Sequence, residues 1–152
     1  MDRLNFEIIS GTDLDKAGME EVAIRFARAS RDADVSRFYY SGHAMQHLGT
    51  NYLVPVDGRL DGESDLRRLV NIDDLITELE QAKNLRMMVL DACRNNPLAD
   101  NLRRSLGATR SASFQRGLAK MDSPAAMIIS YSTQAGKTAD DGLGRNSPYT
   151  RR

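Results

Sequence analysis

The sequence predicts an α/β fold with a mostly parallel central sheet and helices on both faces. Three segments of nearly continuous apolar residues are typical of buried parallel strands: Val35 to Tyr40, Arg86 to Leu90 and Met127 to Tyr131. Segments with helical periodicity precede the first two strands, and this alternation favours a parallel sheet. The 152 residues, 41% hydrophobic and 28% charged, are expected to form a single domain.

The first third of the chain is predicted to contain a strand, a helix and a second strand. Asn5 to Ile9 is apolar and is followed by turn-forming residues, which predicts a strand. From about Asp15 the apolar residues recur with the period of a helix. They are Met19, Val22, Ala23, Phe26 and Ala27. Val35 to Tyr40 is rich in β-branched and aromatic residues, and we expect a buried strand that ends at Ser41.

The middle third is predicted to contain an extended segment and a helix. Tyr52 to Val56 is extended, but Pro55 has no N–H to donate, which places the segment at an edge or on the surface. Asp73 or Asp74 is a candidate N-cap for a helix that extends to about Asn84. Its predicted inner face consists of Leu75, Ile76, Leu79 and Ala82.

The last third contains two predicted strands separated by a long irregular segment. Arg86 to Leu90 is the second buried strand of the sheet. Asn95 to Pro124 has little periodicity and is predicted to be a loop with at most one short helix. Met127 to Tyr131 is the last strand, and Ser132 to Arg152 is a polar tail.

Composition excludes several classes of partner. Twenty-one basic residues balance twenty-one acidic residues, so no overall field attracts nucleic acid or an anionic membrane. No apolar run approaches the roughly 20 residues that span a bilayer. Cys93 is the only cysteine, so no intrachain disulfide can form, and we expect a cytoplasmic protein.

Candidate functional residues follow two of the predicted strands. In parallel sheets, function lies beyond the carboxyl ends of the strands, where Ser41-Gly42-His43 and Asp91-Ala92-Cys93 occur. An imidazole such as that of His43 is a base suited to activating a thiol. The backbone N–H groups of Gly42 and Cys93 are candidates for binding an oxyanion. From the residues alone, Cys93 has two interpretations, a small buried hydrophobe or a nucleophile.

Several segments resemble the catalytic domain of the caspase-like cysteine peptidases in order and spacing. The three that carry the resemblance are Phe38 to Ala44, Tyr52 to Asp57 and Val89 to Pro97. Gly117 to Ala119, Ile129 to Thr133 and Gly144 to Thr150 are similar to the bacterial branch, the orthocaspases and other metacaspase relatives. The resemblance implies one catalytic domain over residues 1–152, with a part similar to the large subunit at 1–100 and a loop and last strand at 101–152.

The resemblance implies peptide-bond hydrolysis through an acyl-enzyme, with Cys93 as nucleophile and His43 as general base and then acid. Asp91 lies two residues before Cys93, on the same side of the strand end, and its carboxylate favours arginine and then lysine in the substrate. In the metacaspase branch the residue matching Ser41 lines the same pocket. Arg94 is interpreted as a salt-bridging or solvated residue.

A weaker similarity concerns calcium. Asp57, Asp73, Asp74 and Asp100 match the positions of carboxylates in metacaspases that require calcium. The alternative, which we favour, is that Asp73 and Asp74 cap a helix and that the other two lie on the surface. We therefore predict no cofactor. His47 is predicted to be a loop residue.

The chain is shorter than its relatives, which have another strand and helix before Asn5 and continue beyond the motif at 147–150. Exposed sheet edges are the expected result, and we predict a homodimer or larger assembly.

Arginines between Arg103 and Arg116 are candidate sites of self-cleavage, and the Arg151-Arg152 terminus is what such cleavage would leave. Two alternatives are a non-catalytic caspase-fold interaction module and a cysteine hydrolase acting on a non-peptide substrate.

Overall fold

The computed structural model describes residues 6–92, 114–115 and 118–132. This part of the chain contains two α-helices, one 3₁₀ helix and seven strands. In chain order they are α1 (Lys16–Ser30), β1 (Val35–Ser41), β2 (Ala44–His47), β3 (Thr50–Leu53), the 3₁₀ helix (Glu63–Arg68), β4 (Val70–Asn71), α2 (Ile72–Leu79), β5 (Leu85–Asp91), β6 (Phe114–Gln115) and β7 (Met127–Tyr131).

The main sheet is parallel and has the strand order β1-β5-β7. Each of the three strands corresponds to one of the predicted parallel strands, so the α/β class is confirmed. Tyr40 is in register with Leu90, which in turn is in register with Tyr131. Because the strands run in the same direction, their carboxyl ends lie along one edge of the sheet.

One face of this sheet packs against both described helices. Met88 and Leu90 of β5 are fully buried at its centre. Alternate residues of β1 and β7 belong to the same apolar cluster, as do the inner faces of α1 and α2. Phe26 of α1 meets Phe38 of β1 edge to face, with ring centroids 6.3 Å apart. Packing against α1 and α2 therefore fixes the sheet that carries the candidate site.

The two helices begin at side-chain caps. Asp15 accepts a hydrogen bond from the N–H of Gly18 at 2.8 Å, and α1 follows the predicted periodicity. The predicted cap of α2 is wrong, because the Asn71 side chain accepts from the N–H of Asp73 at 3.0 Å. The helix also ends at Leu79, before the predicted Asn84. Ala82 is nevertheless buried, as predicted.

A second sheet, not predicted from the sequence, is antiparallel and has the order β4-β3-β2-β6. A two-residue turn joins β2 to β3, with positive φ at Leu48 (49°) and Gly49 (85°), as a type I′ turn requires. The edge position predicted for Tyr52 to Val56 is wrong. β3 lies between β2 and β4 and ends at Leu53, so Pro55 takes no part in the ladder.

Three further predictions change. Residues 6–10 form no strand, because no described strand runs beside them, and Ile8 is exposed. β1 is half-buried rather than buried, since its alternate residues Arg37 and Tyr39 are exposed. Within the predicted loop, 114–115 form β6 and 118–124 are irregular, whereas its other residues lie outside the described ranges.

Candidate active site

The carboxyl ends of β1 and β5 bring two predicted pocket residues together. Ser41 is in register with Asp91 on the neighbouring parallel strand, and such strands lie about 4.8 Å apart. Residues in register on adjacent strands share a face, so both side chains lie on the face opposite the helices. Asp91 is almost completely buried, with 1% of its surface exposed, whereas Ser41 is exposed. The sheet thus places a carboxylate and a hydroxyl next to each other at the carboxyl ends of β1 and β5.

His43 lies in the short connection between β1 and β2, one residue beyond Gly42. Its side chain is exposed, but its carbonyl oxygen is an acceptor for two donors. The N–H of Val54 donates to it at 2.9 Å, and the hydroxyl of Tyr40 donates to it at 2.9 Å. The imidazole is therefore accessible just beyond the carboxyl end of β1, while the main chain beneath it is held by two hydrogen bonds.

Gly42 occupies a position where a side chain would not fit. A Cβ atom at this residue would lie 2.5 Å from the hydroxyl oxygen of Tyr40. Its backbone N–H donates to the carbonyl oxygen of Asp91 at 3.3 Å, a long bond that joins the ends of the two strands. An oxyanion at Gly42 would have to replace the Asp91 carbonyl as acceptor, so the predicted oxyanion role stays a prediction.

Cys93 and Arg94 lie outside the described residues. The described part of β5 ends at Asp91 and is followed by Ala92, which is fully buried. The proximity of Cys93 to His43 and the interpretation of Arg94 therefore stay predictions.

Three of the four carboxylates with a similarity to calcium positions lie within the described residues. Asp57 accepts a hydrogen bond from the N–H of Lys16 at 3.0 Å at the start of α1. Asp74 lines a groove with two cations, Lys16 and Arg67, and with two further carboxylates, Glu20 and Glu78. Among the described residues, no three His, Cys, Asp or Glu side chains are grouped closely enough to bind a metal. Asp100 lies outside them.

Asp73 and Asp74 affect the pKa of a nearby tyrosine, Tyr52. Both are exposed in the first turn of α2. Burial raises the pKa of Tyr52, and the carboxylates of Asp73 and Asp74 raise it further because they disfavour the phenolate. The first turn of α2 thus faces a neutral phenol on β3.

His47 is not a loop residue, contrary to the prediction. It lies on β2, is 9% exposed and pairs in register with Thr50 across the hairpin. It is separated from His43 by a strand that is buried along its whole length.

Comparison with known protein families decides the classification. The family model for the caspase domain matches residues 1–152. The chain belongs to the caspase family. The caspase domain is a cysteine peptidase domain, and the family implies that its substrates are proteins. None of the curated proteins compared with it gives a significant match.

The parallel main sheet with its helices is consistent with the fold of this family. Within residues 6–92 and 118–132, no helix has the length and apolar character needed to cross a membrane. The roles predicted for Ser41, His43 and Asp91 stay predictions, and Tyr40, whose hydroxyl donates to the carbonyl oxygen of His43, was not identified from the sequence. The one available signal was a tyrosine two residues before a glycine at the end of a strand.

Proposed function

We propose that the protein is a cysteine endopeptidase that cleaves after arginine and, less efficiently, after lysine, with Cys93 as nucleophile and His43 as base. The observation that supports this most strongly is the pairing of Ser41 with Asp91 beside the loop that carries His43. Cys93 follows Asp91 by two residues in the chain, so we expect the nucleophile at the same edge of the sheet.

The proposed reaction has two halves. His43 accepts the proton of the Cys93 thiol, and the thiolate attacks the carbonyl carbon of the scissile bond. The tetrahedral intermediate collapses when His43 donates that proton to the leaving amine, which leaves a thioester on Cys93. Water then attacks the thioester and gives a proton to His43, the C–S bond breaks to release the carboxylic acid, and His43 returns the proton to the Cys93 thiolate.

Burial of Asp91 supports selectivity for arginine. A planar guanidinium can donate two parallel hydrogen bonds to a carboxylate, and these bonds are stronger at a buried carboxylate, such as that of Asp91 with 1% exposure, than in water. A lysine ammonium provides only a point charge, so it is the weaker substrate. An aspartate side chain would be repelled by the same carboxylate.

Fluorogenic peptides that end in Arg, Lys or Asp test the activity. We expect turnover in the order Arg, Lys, Asp, and loss of turnover in Cys93→Ala and His43→Ala variants whose circular dichroism spectra match wild type. If folded wild type cleaves none of the peptides, with or without calcium, the protease proposal is wrong and the interaction module or non-peptide hydrolase replaces it. Preference for Asp would contradict the role of Asp91.

An Asp91→Asn variant tests the pocket directly, because it has the same shape without the charge. We expect kcat/KM for the Arg peptide to fall at least about 30-fold, since removing one partner of a buried charge pair costs about 2–5 kcal/mol. Asp32→Asn, at an exposed carboxylate, is the matched control and should leave kcat/KM unchanged. Equal selectivity in wild type and Asp91→Asn would refute the assignment.

We further propose that activity needs no metal and that the protein processes itself after arginine. Two observations support the first point: Asp57 accepts from the N–H of Lys16, and among the described residues no three potential ligands are grouped closely enough to bind a metal. We expect EDTA and added calcium to leave the rate unchanged.

Self-processing is tested by intact mass. The mass of wild type should differ from that of Cys93→Ala by the fragments released, and equal masses would exclude self-processing.

We propose that two copies associate through the outer edge of β1, in the cytoplasm. Along a parallel strand, alternate residues direct their backbone N–H and C=O groups to opposite sides. Asp34 and Gly42 direct backbone groups toward β5, so Arg37 and Tyr39 direct theirs away from β5. Antiparallel pairing centred on Phe38 would place Arg37 of one copy opposite Tyr39 of the other, a cation–π pair.

A proline at position 39 tests the proposed interface. It removes an outward N–H and is tolerated on an edge strand, so Tyr39→Pro should be a folded monomer by light scattering, whereas Tyr39→Phe should remain a dimer. A monomeric wild type, or a dimeric Tyr39→Pro, would contradict the proposed edge.

A further inference from the structure

Tyr40 connects the core of the domain to the loop that carries His43. The residue lies on β1, and its ring packs against the apolar cluster beneath the sheet. Its hydroxyl donates to the carbonyl oxygen of His43 at 2.9 Å, and the carbonyl oxygen of Val54 is a more distant acceptor at 3.4 Å. A side chain of the strand therefore bonds to the main chain three residues further on.

The loop has a shape that matches this hydroxyl. Beyond Ser41 the chain turns back over the end of the Tyr40 ring, and Gly42 lies directly against it. A Cβ at Gly42 would lie 2.5 Å from the hydroxyl oxygen and 2.7 Å from the ring carbon that bears it. Contacts this short require the loop or the ring to move, so glycine at 42 and tyrosine at 40 depend on each other.

A second donor reaches the same carbonyl from another element. The N–H of Val54, just beyond β3, donates to the His43 oxygen at 2.9 Å. The His43 peptide is thus fixed from the main sheet by Tyr40 and from the second sheet by Val54. The exposed imidazole keeps its side-chain rotations, but the main chain from which it projects is fixed by both sheets.

We propose that Tyr40 is a positioning residue for the proposed peptidase, setting the direction from which the His43 imidazole approaches the nucleophile. The inference rests on the proposed function, because it assigns His43 the role of base. In this role Tyr40 acts through the His43 carbonyl rather than on the substrate. Without the Tyr40 hydroxyl, Val54 is the donor that remains to the His43 carbonyl among the described residues, and the 41–43 loop gains freedom to move away from the sheet.

Tyr40→Phe tests this proposal with Tyr39→Phe as the matched control. Each removes one phenolic oxygen, from adjacent residues of one strand, but Tyr39 is exposed and makes no hydrogen bond to the loop among the described residues. We expect kcat of Tyr40→Phe to fall about 10- to 100-fold, the effect of a displacement of about 1 Å in a catalytic group. KM should stay within about twofold of wild type, and Tyr39→Phe should match wild type in both.

A merely structural role is excluded by counting active sites. Titration with an irreversible thiol-directed inhibitor gives the fraction of Cys93 that reacts, and kcat is expressed per reactive site. We expect the reduction in Tyr40→Phe to remain after this correction. If kcat per site equals that of wild type, Tyr40 acts only on the folded fraction and the proposal is wrong.

A readout that needs no turnover separates this proposal from the proposed function. In a Cys93→Ala background, the amide resonances of Gly42 and His43 should shift with Tyr40→Phe and stay unchanged with Tyr39→Phe. Wild type without turnover would refute the peptidase proposal, and an active wild type with an equally active Tyr40→Phe would refute the positioning role alone. Unchanged resonances in Tyr40→Phe would refute it in either case.

Discussion

Replacing Asn51 is expected to weaken the connection between β3 and the segment that leads to β7. The Asn51 side chain is 1% exposed and makes two hydrogen bonds to one residue. Its amide donates to the carbonyl oxygen of Ala119 at 3.0 Å, and its oxygen accepts from the Ala119 N–H at 2.7 Å. Ala119 has no partner strand among the described residues, and the Asn51 side-chain amide makes the two hydrogen bonds that such a strand would make.

The magnitude follows from these two bonds. Each contributes about 0.5–1.5 kcal/mol net, and Asn51→Ala also leaves two polar groups of Ala119 without their partners and opens a small cavity. We therefore expect unfolding free energy to fall by about 2–4 kcal/mol. For a chain of this size, that corresponds to a Tm lower by roughly 4–16 °C.

Urea denaturation followed by circular dichroism measures the change. Asn84→Ala is the matched control, because Asn84 is exposed and its single side-chain bond goes to Asp34. We expect that variant to lie within about 0.5 kcal/mol of wild type. Asn51→Ala within the same margin would show that the pair of bonds contributes nothing and would refute the argument.

Asn51→Asp adds a pH signature. Its ionised carboxylate would still accept from the Ala119 N–H but would face the Ala119 carbonyl oxygen without a proton to donate. Burial raises the pKa of such a group in the folded state, so its contribution to stability is present at low pH and is lost as pH rises through that value. The deficit relative to wild type should therefore be larger at neutral pH than in mild acid, and a pH-independent deficit would contradict this account.

Two further predictions concern the loops around the second sheet. The Asp65 carboxylate accepts from the N–H groups of Asp61 and Gly62, and the pKa of Asp65 is lowered first by the Asp61 bond. Its stabilisation is present above the unfolded pKa and lost as pH falls through the folded one, so the Tm difference between wild type and Asp65→Asn should shrink in acid. Leu48 has φ of 49° before Gly49, and Leu48→Asn should raise stability by about 1 kcal/mol in urea denaturation, because asparagine adopts this conformation more readily. An unchanged Asp65→Asn difference across pH, or a destabilised Leu48→Asn, would refute the respective argument.

The parallel part of the fold was predictable because long apolar segments carry a strong signal. β5 and α1 each extend over at least seven residues, and their periods differ clearly. The second sheet was not predictable for the opposite reason. β2 and β3 have four residues each, and the turn between them has leucine at a left-handed position, where asparagine or glycine is the usual signal.

The candidate site, like the fold, was predictable from the sequence only in part. Ser41, His43 and Asp91 could be named as candidates because functional residues often follow the carboxyl ends of parallel strands, and the structure places all three at those ends. The role of Tyr40 depends on how the chain turns back over its own side chain, and no periodicity encodes such a turn. The predicted strand at Asn5 to Ile9 failed because an apolar segment becomes a strand only where a neighbouring strand pairs with it.

The order of the main sheet has a consequence for the integrity of the chain. β7, near the end of the described residues, pairs with β5 along five register positions, while β6 pairs with β2 and Leu118 is fully buried. A peptide bond broken between β5 and β6 would thus separate two pieces that still share one sheet and one core. The nicked protein should migrate as two bands under denaturing conditions, elute as a single species in native buffer, and be reconstituted by mixing separately expressed halves.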